Sequence, residues 1–207
     1  MAQAMFINPK QSGISLIELI MFIVIVSVAL AGILLVMNTV TRSSADPLIH
    51  KQALAIAESM LEEVELMPFT YCDPDDANAA TATSSAVVAA GCAATPEGVG
   101  VESIGGVVED RYGGADPTAV NAFFDNVSDY AGFGMPAGAI LDITGVNTGL
   151  AGYTLKPIVI APVALQDIAA NDANGAPQAL QITVTVTGPD NVDVVVDGIR
   201  TRYSPKI

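Results

Sequence analysis

Lys10-Gln11-Ser12-Gly13-Ile14-Ser15-Leu16-Ile17-Glu18 leads into an almost unbroken apolar run that ends at Met37. From Leu19 onward the run carries no charge, and only Ser27 and Gly32 interrupt its large apolar residues. About 20 such residues, each rising about 1.5 Å in a helix, span a hydrocarbon core of roughly 30 Å. The length argues for a transmembrane helix over a buried core helix. A removable secretory signal needs a shorter apolar region and a small-residue cleavage site after it. Asn38-Thr39-Val40-Thr41-Arg42 offers no such site. Glu18 is the anomaly, because a carboxylate at the bilayer centre costs about 2.5–3.5 kcal/mol and less near an interface. It either reaches the interface from its place near the start of the run or pairs with a cation at the same depth. Cleavage after Gly13 would create such a cation, the α-amine of Ile14. That amine would lie about one helical turn from Glu18 of its own chain and within reach of Glu18 of a staggered neighbour.

Gly13-Ile14-Ser15-Leu16-Ile17-Glu18 resembles the cleavage and methylation motif of type IV pilins and type II secretion pseudopilins. The resemblance implies cutting by prepilin peptidase between Gly13 and Ile14, N-methylation of Ile14, and a role for Glu18 in assembly. Ile14 stands where Phe is commonest in the family, and Ser15 where Thr is usual, so an apolar residue and a hydroxyl are retained. Two further stretches, 52–64 and Phe123-Phe124-Asp125-Asn126-Val127-Ser128-Asp129-Tyr130, are similar to segments of minor pilins of the MshD- and PilV-like subgroup. The implied fold is α+β and type IV pilin-like. A long N-terminal helix, half membrane-spanning and half amphipathic, packs on a C-terminal antiparallel sheet. The implied partners are other pilin subunits, prepilin peptidase and the assembly platform of the inner membrane. The implied location is a single-pass inner-membrane protein with its C-terminal domain outside the cytoplasm, and then the pilus surface.

Of 207 residues, about 140–150 remain for one exported domain after leader and membrane helix, enough for a single core. The net charge of −14 argues against nucleic acid and against an anionic lipid surface. Its plainest role is to keep the domain soluble. Cys72 and Cys92 are the only cysteines, and an even count in an exported domain points to a disulfide. A metal or redox pair is the alternative. No histidine lies near them, and their spacing is not C-x-x-C.

In chain order, residues 1–13 read as leader, 14–42 as membrane and filament-core helix, 43–67 as its amphipathic continuation, and 68–207 as the exported domain. Asp46-Pro47 suits either a helix restart or a kink within one helix. Ile49, Ala53, Ile56, Ala57, Met60 and Val64 form one helical stripe. Glu58, Glu62, Glu63 and Glu65 crowd the helix end, as a solvated face or a contact for a basic neighbour. Pro68 stops the helix. Residues 68–100 read as a loop pinned by the cysteines. Within it Asp73-Pro74-Asp75-Asp76-Ala77-Asn78 reads as a solvated acidic turn rather than a calcium loop, because it lacks the EF-hand glycine and distal glutamate. Residues 118–130 read as a short amphipathic helix, and Ala139–Ile143 and Tyr153–Pro162 as strands. Leu180–Thr187 alternates cleanly and turns at Gly188-Pro189-Asp190-Asn191 into a returning strand, Val192–Tyr203, with a bulge near Val194–Val196.

Nothing in the sequence supports an enzyme. His50 is the lone histidine, and no G-x-S-x-G, Walker A or H-E-x-x-H is present. No catalytic, cofactor or metal residue is assigned. The reading is a pilus subunit, with a type II secretion pseudopilin as alternative and a non-polymerising anchored binding module or a tip adhesin behind it.

Overall fold

A computed structural model describes residues 13–104, 106–114 and 123–202. The chain forms two compact units, Met1–Pro47 and Leu48–Ile207. Helix α1 (Leu16–Leu66) begins in the first and ends in the second, and its helical assignment continues through Pro47.

In the first unit, Leu16–Val40 is long and apolar enough to cross a membrane, and none of it is buried within the protein. Its two hydroxyls need no outside partner. Ser27 Oγ donates to the Ile23 carbonyl at 2.7 Å and Thr39 Oγ1 to that of Leu35 at 2.9 Å. Polar groups satisfied one turn back are those a helix can carry into lipid.

In the second unit, the helical stripe enters the core. Ala53, Ala57, Met60 and Val64 are buried, with Ile49 and Ile56 packed at the margin. Two short alanines four residues apart let the helix lie close to its neighbour, and two glycines help from the other side. A Cβ at Gly188 would come within 2.9 Å of Ile49 Cγ2, and one at Gly198 within 2.8 Å of Leu61 Cδ1. The helix ends two residues before Pro68, whose carbonyl accepts the Val127 N–H at 3.0 Å.

The main sheet is antiparallel and centred on β5 (Ala179–Thr187). On one side β5 pairs with β6 (Asp193–Thr201), in register from Ala179↔Thr201 to Thr187↔Asp193. On the other it pairs with β3 (Thr154–Leu155) and β4 (Val159–Pro162). Leu180, Ile182, Val184 and Val186 all face the core, as the period of two requires. Outside, Thr183 and Thr187 donate to Asp197 and Asp193 across the hairpin. A two-stranded ribbon, β1 (Ser103–Ile104) with β2 (Val107–Val108), stands apart. The architecture is α+β and type IV pilin-like: a long apolar N-terminal helix, then an amphipathic helix and an antiparallel sheet.

Three expectations need correction. The β5–β6 ladder has no bulge near Val194–Val196. The irregularity lies on the opposite edge, where Leu155 pairs with Val186 but Val159 with Thr183, leaving one extra residue in the outer strand. Pro157 sits in that gap, and proline cannot donate to a ladder, so Tyr153–Pro162 is two short strands instead of one. Ala139–Ile143 is not a strand. Its ladder is a single bridge, Leu141 to Asn147, around a tight turn at Asp142. Of the helix expected at 118–130, residues 118–122 lie outside the described ones, and the rest supplies only a 3-10 turn, Val127–Tyr130.

Three turns share one design that the linear reading passed over. Asp110, Asp142 and Asp172 each accept through Oδ1 the N–H groups two and four residues on. Each is followed three residues later by a glycine at positive φ, Gly113, Gly145 and Gly175. The carboxylate replaces water on backbone donors that a tight turn leaves open, and glycine takes the left-handed position without strain.

Candidate functional site

The processing and assembly residues sit at the start of the first unit. Gly13, Ile14 and Ser15 precede the helix, and Glu18 lies in its first turn. Ile14 is 74 % exposed. The residue bond on which cleavage would act, Gly13–Ile14, therefore lies in non-helical backbone, and a Cβ on Gly13 would meet nothing within 4 Å. The remainder of the leader, residues 1–12, lies outside the described residues. From Leu16 to Val40 the helix offers Leu, Ile, Val, Phe and Met on every side. A helix apolar all round is a membrane span or the core of a larger assembly.

In the second unit, Cys72 and Cys92 form a disulfide with a Cα–Cα distance of 5.4 Å. It closes the loop after α1 together with a clasp the sequence did not announce. Asp76 is buried and accepts four backbone N–H groups. Oδ1 takes those of Asn78 and Ala93, and Oδ2 those of Ala94 and Thr95, at 2.8–2.9 Å. These bonds, that from Thr95 foremost, hold its carboxyl far below the usual range. Asp73 is buried as well. The solvated acidic turn expected at 73–78 is therefore largely an interior one, with Asp75 its exposed member.

Nor are the helix-end acids all a solvated face. The Glu63 carboxylate is gripped by Arg111 of the same chain, Nε to Oε1 at 2.5 Å and Nη2 to Oε2 at 2.6 Å. Tyr130 Oη donates to Glu63 Oε1 at 2.8 Å. Arg111 also reaches the Asp142 carbonyl at 3.3 Å and stacks over Tyr112 and Phe133. Tyr153 Oη adds a bond to Gln52 Oε1 at 2.5 Å. Arg111 is the only basic residue between Pro68 and Tyr153, a stretch in which acids recur throughout.

Seven other acids of that stretch converge in two adjoining sets. Carboxylate oxygens of Asp73, Asp75, Glu109 and Asp125 lie within 4.8 Å of one another, as do those of Glu97, Glu102 and Asp129. The second set accepts bonds from its surroundings on one oxygen of each residue. Ser128 Oγ donates to Glu97 Oε1, Gly98 N to Glu102 Oε1, and Asp125 N and Asn126 N to Asp129 Oδ2. Burial first, and then a hydrogen bond to Asp129, push Glu102 up to about 8, and burial lifts Glu97 to about 9. In the first set, burial and then the Asp129 charge raise Glu109 to about 9 and Asp125 to about 7. The set draws on three separate segments, so no local spacing betrays it. The one available sign was the imbalance of acids over bases around Arg111.

The profile of the prokaryotic N-terminal methylation motif matches residues 8–34. Comparison with curated proteins and with solved structures finds no match. The matched segment holds Gly13, Ile14 and Glu18 and more than half of Leu16–Val40. Its helix is compatible with membrane anchoring of a prepilin. The motif supports a place in the type IV pilin and pseudopilin family, as a precursor of a structural subunit that is processed by prepilin peptidase and polymerises.

Proposed function

We propose that this chain is a minor pilin of a type IV pilus, cut after Gly13, methylated on the Ile14 amine and polymerised through α1. The observation that carries the proposal is the methylation motif at residues 8–34, which runs into an apolar helix that is not buried among the described residues. In the membrane, lipid covers that helix. In a filament, the same helices of neighbouring subunits replace lipid, and the apolar surface stays out of water in both states. Glu18 then has a use that its desolvation cost demands. Its carboxylate meets the α-amine of a neighbour's Ile14, and each charge leaves the bilayer already paired. The likeness of residues 52–64 and Phe123–Tyr130 to minor-pilin segments favours a minor over a major pilin, with a type II secretion pseudopilin as the alternative.

The test is the intact mass and N-terminal residue of the protein from isolated membranes and from sheared surface filaments. A chain beginning at N-methyl-Ile14 in the filament fraction is the expected result. A chain that keeps Met1 beside an active prepilin peptidase, and never enters filaments, would sink the reading in favour of an anchored binding module. Glu18→Val separates the same two cases. Incorporation into filaments falls at least tenfold if Glu18 pairs during assembly, whereas an anchored module behaves as before.

A further inference from the structure

Glu109 has no local reason to be where it is. It follows β2, is 3 % exposed, and neither of its carboxylate oxygens has a hydrogen-bond partner. A carboxylate buried without a partner loses its hydration and gains nothing in return, so its partner is still to be identified. What Glu109 does face is Asp73, Asp75 and Asp125, each presenting an oxygen within 4.8 Å. The charges acting most strongly on Asp73, Glu109 and Asp125 are all acidic. The ion pairs among the described residues, Arg111–Glu63 and Lys156–Asp193, involve none of the four.

We propose that Asp73, Asp75, Glu109 and Asp125 bind a single calcium ion. Four carboxylates at this spacing repel one another when ionised, and one dication at their centre removes both the repulsion and the orphaned oxygens of Glu109. The donors are all oxygen, which selects a hard cation. Zinc would want imidazole or thiolate, and the only two cysteines are joined in the disulfide. Calcium suits the set better than magnesium. Three independent segments supply the ligands, and calcium accepts irregular all-carboxylate coordination where magnesium demands a near-ideal octahedron and keeps its waters. Asp73 remains a ligand although its Oδ1 accepts the Asp75 N–H at 2.7 Å, because a carboxylate has more lone pairs than one N–H occupies. The adjoining Glu97–Glu102–Asp129 set takes no ion in this scheme. It has only three carboxylates, and one oxygen of each accepts a bond, Glu97 from Ser128, Glu102 from Gly98, and Asp129 from Asp125 and Asn126, which leaves Glu97 Oε2 and Asp129 Oδ1 unpartnered.

The consequence is a metal-dependent junction. The ion ties the loop after α1, the segment following β2 and the approach to the Val127–Tyr130 turn at one point. The inference is independent of filament assembly and can be tested without it. The full-length chain in detergent is stripped with EDTA, dialysed, and titrated with calcium chloride or magnesium chloride by isothermal calorimetry and thermal unfolding. Calcium is expected to bind one ion per chain with Kd below about 1 mM, the range of extracellular modules or tighter. At a hundredfold excess over Kd it should raise Tm by about 5–10 °C. Magnesium at the same concentration should give less than half that rise. Glu109→Gln and Asp125→Asn should each weaken calcium binding at least tenfold, while Glu58→Gln, on the exposed helix face, should leave it unchanged. Glu109→Gln replaces a carboxylate by a neutral isostere, so in EDTA its Tm should match or exceed that of the parent chain, which separates a lost ion from a lost fold. Absence of any calcium heat or Tm shift in the parent chain overturns the proposal. So does a Glu109→Gln chain that binds calcium as the parent does.

Discussion

Arg111→Met should cost this domain more stability than almost any other single change outside its apolar core. The guanidinium and the Glu63 carboxylate meet through two parallel bonds of 2.5 and 2.6 Å, with side-chain exposures of 4 % and 12 %. At an effective dielectric constant of about 20, unit charges about 4 Å apart attract by about 4 kcal/mol. Breaking a buried pair by removing one partner costs about 3–5 kcal/mol, because the other charge stays behind desolvated. The two routes agree at about 4 kcal/mol, which is about 8–16 °C in Tm for a chain of this size. Tyr130 Oη still donates to Glu63 in the variant and moves the loss toward the lower end. The assay is thermal and urea unfolding of the full chain in detergent, followed by near-UV circular dichroism of the tyrosines around the pair. Glu63→Met/Arg111→Met completes the cycle. Removing both charges leaves nothing unpaired, so the double variant should recover at least half of the loss. A loss below about 1 kcal/mol for Arg111→Met, the size typical of exposed pairs, would refute the reasoning. Strict additivity in the double variant would refute it equally.

Three further outcomes follow from other parts of the molecule. Cys72→Ser should lower stability by about 3 kcal/mol, the chain-entropy value for a sequence separation of 20, and the same loss should appear in the unmutated chain under reducing conditions. Ile182→Ala, in the buried face of β5, should cost about 2–5 kcal/mol by denaturant unfolding. The pH dependence in EDTA should be inverted relative to ordinary acid denaturation. Glu97, Glu102, Glu109 and Asp125 have folded-state values raised to about 9, 8, 9 and 7. The folded state therefore holds more protons than the unfolded one, and stability falls as pH rises from about 4.5 toward 9. A Tm that climbs across that window in metal-free buffer would contradict the burial of these acids.

What could be read from the sequence was periodic, and what could not was assembled across distance. The stripe Ala53, Ala57, Met60 and Val64 repeats every three or four residues, and Leu180 to Val186 alternates, so each declares which face it buries before any partner is known. Ala139–Ile143 shows the limit of that logic. Its apolar content fits a strand, but Asp142 closes a five-residue turn on itself, and a carboxylate bonding its own backbone outcompetes a ladder. Pro157 was visible inside an expected strand and should have divided it. The pairing of Glu63 with Arg111 joins residues 48 apart, and no helical spacing rule reaches that far. The same holds for Glu109, whose neighbours come from before and after it in the chain. At the N-terminus the situation is reversed. Gly13, Ile14 and Glu18 were recognisable because their motif is local and continuous, whereas a single helix reveals little about what will pack against it.

The polar grips along the second half of α1 also form a mechanical joint. Gln52 bonds to Tyr153, and Glu63 to Arg111 and Tyr130. The two helix residues are about 16 Å apart along the axis at 1.5 Å per residue. A pull along that axis loads both grips in shear, together with the buried stripe between them, so they share the force and do not yield one after the other. Peeling the helix sideways would meet them in sequence. This domain should therefore resist tension along α1 far better than force across it.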